Sequence, residues 1–297
     1  MREFVAAVGG LVPAVDVEGP RVRFGLAWAA VTTVAVMAGA WPTALVFAGV
    51  ALAAAGQTTQ SWRLPRRPRF RTPMPPRGDS IVQKPEELAS GRANRWRDFG
   101  RPPEVGAYHA GVTPTPGVAV FGAVGCALAG GIGPGAVLVV ALGTVVAAVV
   151  VDRERARTTI AIALTIGLAA ATPAIVRGQL GAVPALVLLF TVHAVDASAF
   201  VIGSGASNRW EGPVAGAAAA AAIGLAVAAA FVPPFRGVTP WVLAFTVATL
   251  APVGGVAATA LLGGRDETPV PALRRLDAWL VAGPVWAVVA RLVLDLR

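Results

Sequence analysis

Cysteine is nearly absent from this chain of 297 residues: there is one, Cys126. A single thiol excludes an intrachain disulfide framework and a cysteine metal site built within one chain. Because it lies inside the apolar run GAVGCALAGG, Cys126 reads as a packing residue. Charge is scarce as well, at 14% of residues against 56% hydrophobic ones, with mean hydropathy +0.68. Long runs with so little charge exclude a soluble globular or disordered chain and predict an all-α, polytopic helical membrane protein. Internal and inverted repeats are also missing, which removes the usual sequence support for a secondary transporter.

What is present is a series of apolar runs long enough to cross, or nearly cross, a ~30 Å hydrocarbon core. They fall at about 24–40, 42–56, 117–132, 134–151, 158–177, 183–203, 213–232, 239–263 and 277–294, which predicts nine transmembrane helices. Several are rich in Gly and Ala, as in GAAAAAAIGLAVAAA, a composition suited to close helix–helix packing. Residues 1–23, broken by Gly9, Gly10 and Pro13, read as a cytoplasmic or interfacial segment rather than a cleaved signal peptide. Residues 24–56 form a transmembrane hairpin, 57–116 a basic, Pro- and Arg-rich loop, 117–182 the third to fifth spans, and 183–297 the sixth to ninth.

The net charge of +9 sits in the connections between apolar runs, so it is topological and does not point to nucleic acid. Arg63, Arg66, Arg67, Arg69, Arg71, Arg77, Lys84, Arg92, Arg95, Arg97 and Arg101 crowd the 57–116 loop, which places that loop in the cytoplasm of a plasma-membrane protein. Counting spans from it puts the amino terminus, DRERAR, SGASNRWEG and GGRDETPVPALRRLD on the same side. Nearly every charge then lies inside. The RLPRRPRFR stretch suits contact with anionic lipid head groups and serves equally as a topogenic signal alone.

Ionisable groups that abut or interrupt spans are functional candidates, since an unpaired charge in hydrocarbon costs several kcal/mol. His193 and Asp196, three apart, share a helix face and either pair with each other or line a site. Asp196, Glu211, Asp266 and Asp277 all fall at one end of the spans. Carboxylates from distant helices at one depth are what Mg²⁺ and a polyphosphate need, because hard cations take oxygen ligands and bridge phosphates. Arg209, Arg265, Arg274 and Arg275 stand ready to hold phosphate oxygens.

Over residues 183–296 the chain resembles the CTP:phosphatidate cytidylyltransferase (CDP-diacylglycerol synthase) family. Asp196-Ala197-Ser198-Ala199-Phe200-Val201-Ile202-Gly203 is similar to that family's D-[ST]-[GA]-A-[YF]-x-x-G segment. Asn208-Arg209-Trp210-Glu211-Gly212 is similar to its K-T-W-E-G turn. Arg265-Asp266 stands for its K-D pair, and Leu273-Arg274-Arg275-Leu276-Asp277-Ala278 for its L-D-R-[IL]-D-S segment. Ala282-Gly283-Pro284-Val285-Trp286 then matches the opening of its final span. The resemblance implies transfer of CMP from CTP to a lipid phosphate such as phosphatidate, with release of pyrophosphate and Mg²⁺ as cofactor. It implies Asp196 and Asp277 as metal carboxylates with Asp266 a third acidic residue, Arg209, Arg265 and Arg275 at phosphates, and Glu211 fixing the turn before the seventh span. Membrane lipids are then substrate and solvent, and a homodimer is left open.

The sequence departs from the pattern at Val256, in Gly255-Val256-Ala257-Ala258-Thr259, and at Arg274, two positions where the family carries an acid. The family's His-Gly-Gly is missing, and its basic stretch before the Trp-Glu-Gly turn shrinks to SGAS. These losses set a second reading beside the first, a relative that binds lipid or a partner protein without turnover; His193 and Asp196 as a relay give a third, a proton-coupled carrier.

Overall fold

The computed structural model describes residues 20–63, 113–203, 210–263 and 270–295, all within one compact unit of the chain. Every element among them is a helix: α1 (Pro20–Ala38), α2 (Ala40–Ser61), α3 (Pro116–Ala129), α4 (Pro134–Val151), α5 (Ala156–Gln179), α6 (Ala182–Gly203), α7 (Glu211–Ala230), α8 (Thr239–Leu261), α9 (Pro271–Arg274) and α10 (Asp277–Asp295). Each of the nine apolar runs coincides with one of these helices. Seven of the described helices, α2, α4 to α8 and α10, are long and apolar enough to cross a membrane. α3 is shorter: at 1.5 Å per residue its 14 residues rise only about 21 Å, less than a hydrocarbon core, whereas the 19 residues of α1 rise about 28 Å.

Helix boundaries follow local chemistry. Pro116 and Pro134 occupy the first helical turn of α3 and α4, where the missing N–H costs nothing. Gly39 and Gly133, at φ 131° and 142°, make the tight joints that let α1 turn into α2 and α3 into α4, backbone angles that side-chain-bearing residues rarely adopt. Buried threonines return their hydroxyls to their own helix: Thr58 to Ala54, Thr172 to Leu168, Thr191 to Val187 and Thr246 to Val242, at 2.6–2.8 Å. In an apolar surround this leaves no hydroxyl unsatisfied.

The core runs along α2, α5, α6, α8 and α10. At its centre Phe47 of α2, fully buried, meets Trp28 of α1 edge-on at 5.5 Å and Trp279 of α10 at 5.6 Å. Trp279 in turn meets the His193 ring of α6 at 6.1 Å. The geometry places the positive edge of one ring against the negative face of the next. Two further contacts hold α1: Thr32 Oγ1 lies 3.3 Å from His193 Nε2, and Arg177 Nε of α5 donates to the Val36 carbonyl at 2.7 Å. The second satisfies an orphan carbonyl in the last turn of α1.

Because Phe47 joins three helices through ring contacts, Phe47→Ala is expected to destabilise the fold by about 3–5 kcal/mol, the usual cost of truncating a buried aromatic. Thermal unfolding of the purified protein followed by tryptophan fluorescence measures it; an unchanged midpoint contradicts the account.

Candidate functional site

Asp196 lies in α6 about two turns (~10 Å at 1.5 Å per residue) before the helix ends at Gly203. A carboxylate at that depth requires relief from hydrocarbon, and a cleft provides it. The cleft, about 530 Å³, is walled by Val195, Asp196, Ala199, Phe200 and Gly203 of α6, Gly212, Pro213 and Gly216 of α7, Ala251, Pro252 and Gly255 of α8, and Asp277 and Ala278 of α10. It lies between the carboxyl-terminal portions of α6 and α8 and the opening turns of α7 and α10, one end of the bundle. Its walls are mostly small or apolar, with two carboxylates as the exception.

The second carboxylate is set by the start of a helix. Asp277 opens α10, and its Oδ1 accepts from the Ala278 N–H at 2.7 Å, where a negative charge is favoured by the free amides of the first turn. The backbone carbonyl of Asp277 presses against Gly254 of α8 so closely that a Cβ there would collide with it. The α6–α7 wall is made alike: a Cβ on Gly212 would stand 3.0 Å from the Ala199 carbonyl oxygen, and one on Gly216 3.0 Å from Val195 Cγ1. Glycines at these positions let the helices approach backbone to backbone.

Asp196 and Asp277 act on each other electrostatically, Arg275 acts on His193, Asp196 and Asp277, and Arg274 acts on Asp277. Both carboxylates and both arginines are half-buried. The guanidinium of Arg275 lies against Gly25 of α1, its Nη1 3.5 Å from where a Cβ would stand. Among the described residues no His, Cys, Asp or Glu group of three or more gathers as a ready metal cage. Two carboxylates with substrate phosphates are, however, a usual ligand set for Mg²⁺, which keeps several waters, so the donors present suit that ion.

The structure thus brings together Asp196, Asp277 and Arg275 of the residues expected from the sequence. Glu211 opens α7 beside the cleft-lining Gly212, while Arg209, Arg265 and Asp266 lie outside the described residues. His193 is held by Thr32 of α1 rather than by Asp196. Gly255 lines the cleft, whereas Val256 beside it is 71% exposed on the outer surface of α8. A carboxylate at 256 would therefore face away from Asp196, and valine suits that apolar surroundings.

Sequence reading missed the groups that hold the last loop. The Gln57 Oε1 of α2 accepts from the Ala272 N–H at 3.1 Å, satisfying an amide in the first turn of α9. Trp62 Nε1 donates to the Leu261 carbonyl at the end of α8 at 2.9 Å, and its ring packs on Gly263, whose φ of 65° turns the chain out of α8. Together they anchor both ends of the segment that delivers Arg274, Arg275 and Asp277. Compared with protein-family models, curated proteins and solved structures, the chain matches none.

Two outcomes are expected. Gln57→Ala leaves the Ala272 amide without its acceptor and speeds its hydrogen–deuterium exchange by about fivefold, as loss of a bond of ~1 kcal/mol predicts; equal exchange in the two proteins contradicts the anchoring role. Gly254→Val forces α10 away from α8, so the thermal midpoint drops, whereas Gly255→Ala, with open space around its Cβ position, leaves it unchanged.

Proposed function

We propose that the cleft transfers CMP from CTP to a lipid phosphate such as phosphatidate, releasing pyrophosphate, in a nine-span protein of the plasma membrane whose amino terminus and 57–116 loop are cytoplasmic. The observation that carries this reading is the meeting of Asp196 and Asp277, from helices far apart in sequence, on one cleft with Arg275 beside them. A lone charge at either position would be costly in a bilayer. Two carboxylates with a guanidinium make a site for a phosphate-bearing ligand that brings its own cation.

In the reaction, an oxygen of the lipid phosphate attacks the α-phosphorus of CTP, a P–O bond forms there, and the bond to the β-phosphate oxygen breaks as pyrophosphate departs. Asp196 and Asp277 would hold Mg²⁺, which when bound offsets charge on the triphosphate. Arg275, with Arg274 nearby, neutralises phosphate oxygens, and its planar fork suits bidentate contact. Arg209 and Arg265 at phosphates and Asp266 as a third acidic residue are the roles the resemblance implies for them. The apolar walls at Ala199, Phe200 and Pro213 suit the acyl part of a lipid entering sideways from the bilayer.

Arg274, at a position where the resemblance expects an acid, favours a second reading in which the same cleft binds a phosphorylated lipid or nucleotide without turnover. An assay of purified protein with CTP, Mg²⁺ and phosphatidate separates the two. Pyrophosphate release that falls on the order of 10²-fold or more in Asp196→Ala and Asp277→Asn supports transfer. Binding of CTP or phosphatidate without release supports the second reading, and activity that survives Asp196→Ala overturns the assignment.

A further inference from the structure

A second cavity, about 320 Å³, opens between α2 and α3, away from the carboxylate cleft. On α2 it is lined by Gly56, Thr59, Gln60 and Arg63, the i, i+3, i+4, i+7 spacing of one helix face. Pro116, Gly117, Val120 and Phe121 of the first turns of α3 form the facing wall. The groove is graded in polarity. Arg63 and Gln60, both exposed, stand at the end where α2 stops at Ser61, and among the described residues Arg63 makes no ion pair. Deeper along α2 the wall is Gly56, and across from it Val120 and Phe121, the latter 79% exposed.

We propose that this groove binds an anionic phospholipid of the surrounding bilayer, its head group on Arg63 and Gln60 and an acyl chain laid between Gly56 and Phe121. Charge complementarity selects the occupant: a guanidinium at the end of an apolar span sits at head-group depth, where a basic residue attracts an anionic surface by ~1 kcal/mol. The first turn of α3, where the Gly117 and Val118 amides lack intrahelical acceptors, adds positive potential on the other wall. An uncharged apolar wall below it matches the chain of a lipid and offers nothing to a free phosphate. The volume is at the lower end of the range for small-ligand sites, enough to hold part of one lipid rather than a second substrate pair.

Occupancy has a route to the carboxylate cleft. Gln57 and Trp62, which anchor the segment carrying Arg275 and Asp277, belong to the same last turns of α2 as Gly56, Gln60 and Arg63. A lipid seated in the groove stiffens the helix end that holds the loop.

The test uses the full chain in nanodiscs of phosphatidylcholine with a minor fraction of phosphatidylglycerol, followed by native mass spectrometry of the lipid that stays bound on gentle extraction. Wild type is expected to retain phosphatidylglycerol in preference to phosphatidylcholine. Arg63→Gln lowers that retention about fivefold, the ratio given by ~1 kcal/mol per basic residue. Gly56→Leu, whose Cβ position has open space around it, fills the groove and abolishes the preference. Gly135→Leu, equally unobstructed but on α4, serves as the control and leaves it intact. Circular dichroism and melting of each variant establish that the fold persists, and Arg63→Gln, at an exposed helix end, keeps the test decisive if Gly56→Leu does not fold. Retention of phosphatidylglycerol at wild-type level in Arg63→Gln, equal retention of both lipids by wild type, or displacement of the lipid by inorganic phosphate overturns the proposal. Loss of nucleotidyl transfer has no bearing on these readouts.

Discussion

The close approach of α10 to α8 at Gly254 is the constraint on which the carboxylate cleft depends. A bilayer gives helices little reason to associate through apolar surface, since lipid tails cover such surface equally well. What remains is contact so close that lipid cannot substitute for it. Gly254 supplies this by letting the Asp277 carbonyl lie against the α8 backbone. Gly212 and Gly216 do the same between α7 and α6. The acidic pair is positioned less by the side chains around it than by three places where a side chain is missing.

Much of the fold was legible because lipid imposes a simple rule: about 20 apolar residues, little charge, then a connection. Each expected run is a helix, and the shortfall in length at α3 is a matter of residue count that the run's ragged edges hid. The four-residue α9 carried no periodic signal. Asp196 and Asp277 could be picked out since a carboxylate beside an apolar run needs a reason. Their supports could not. Gln57 is 215 residues from Ala272, Trp62 is 199 from Leu261, and Thr32 is 161 from His193. Nothing in a local pattern marks one threonine or glutamine among many as the partner of a residue so distant. Helical spacing put His193 and Asp196 on one side and left their pairing as one alternative; the partner His193 has is Thr32, on a helix far away in the chain.

Electrostatics in the cleft follow from the same economy. Asp196 and Asp277 repel, and Arg275 faces both while lying over Gly25. Gly25 belongs to α1, so a helix outside the stretch that carries the family resemblance packs against the arginine beside the cleft. Val256, at a position where that resemblance expects an acid, points outward. An apolar side chain suits a helix surface in lipid.

The ties that hold α1 also order the birth of the protein. Val36 is capped by Arg177, 141 residues later in the chain, and Thr32 meets His193, 161 residues later. During synthesis α1 emerges before α5 and α6. The groups that fix its end and its middle do not yet exist. Its final seat is closed only after α5 and α6 have left the ribosome, so a helix made early is secured late.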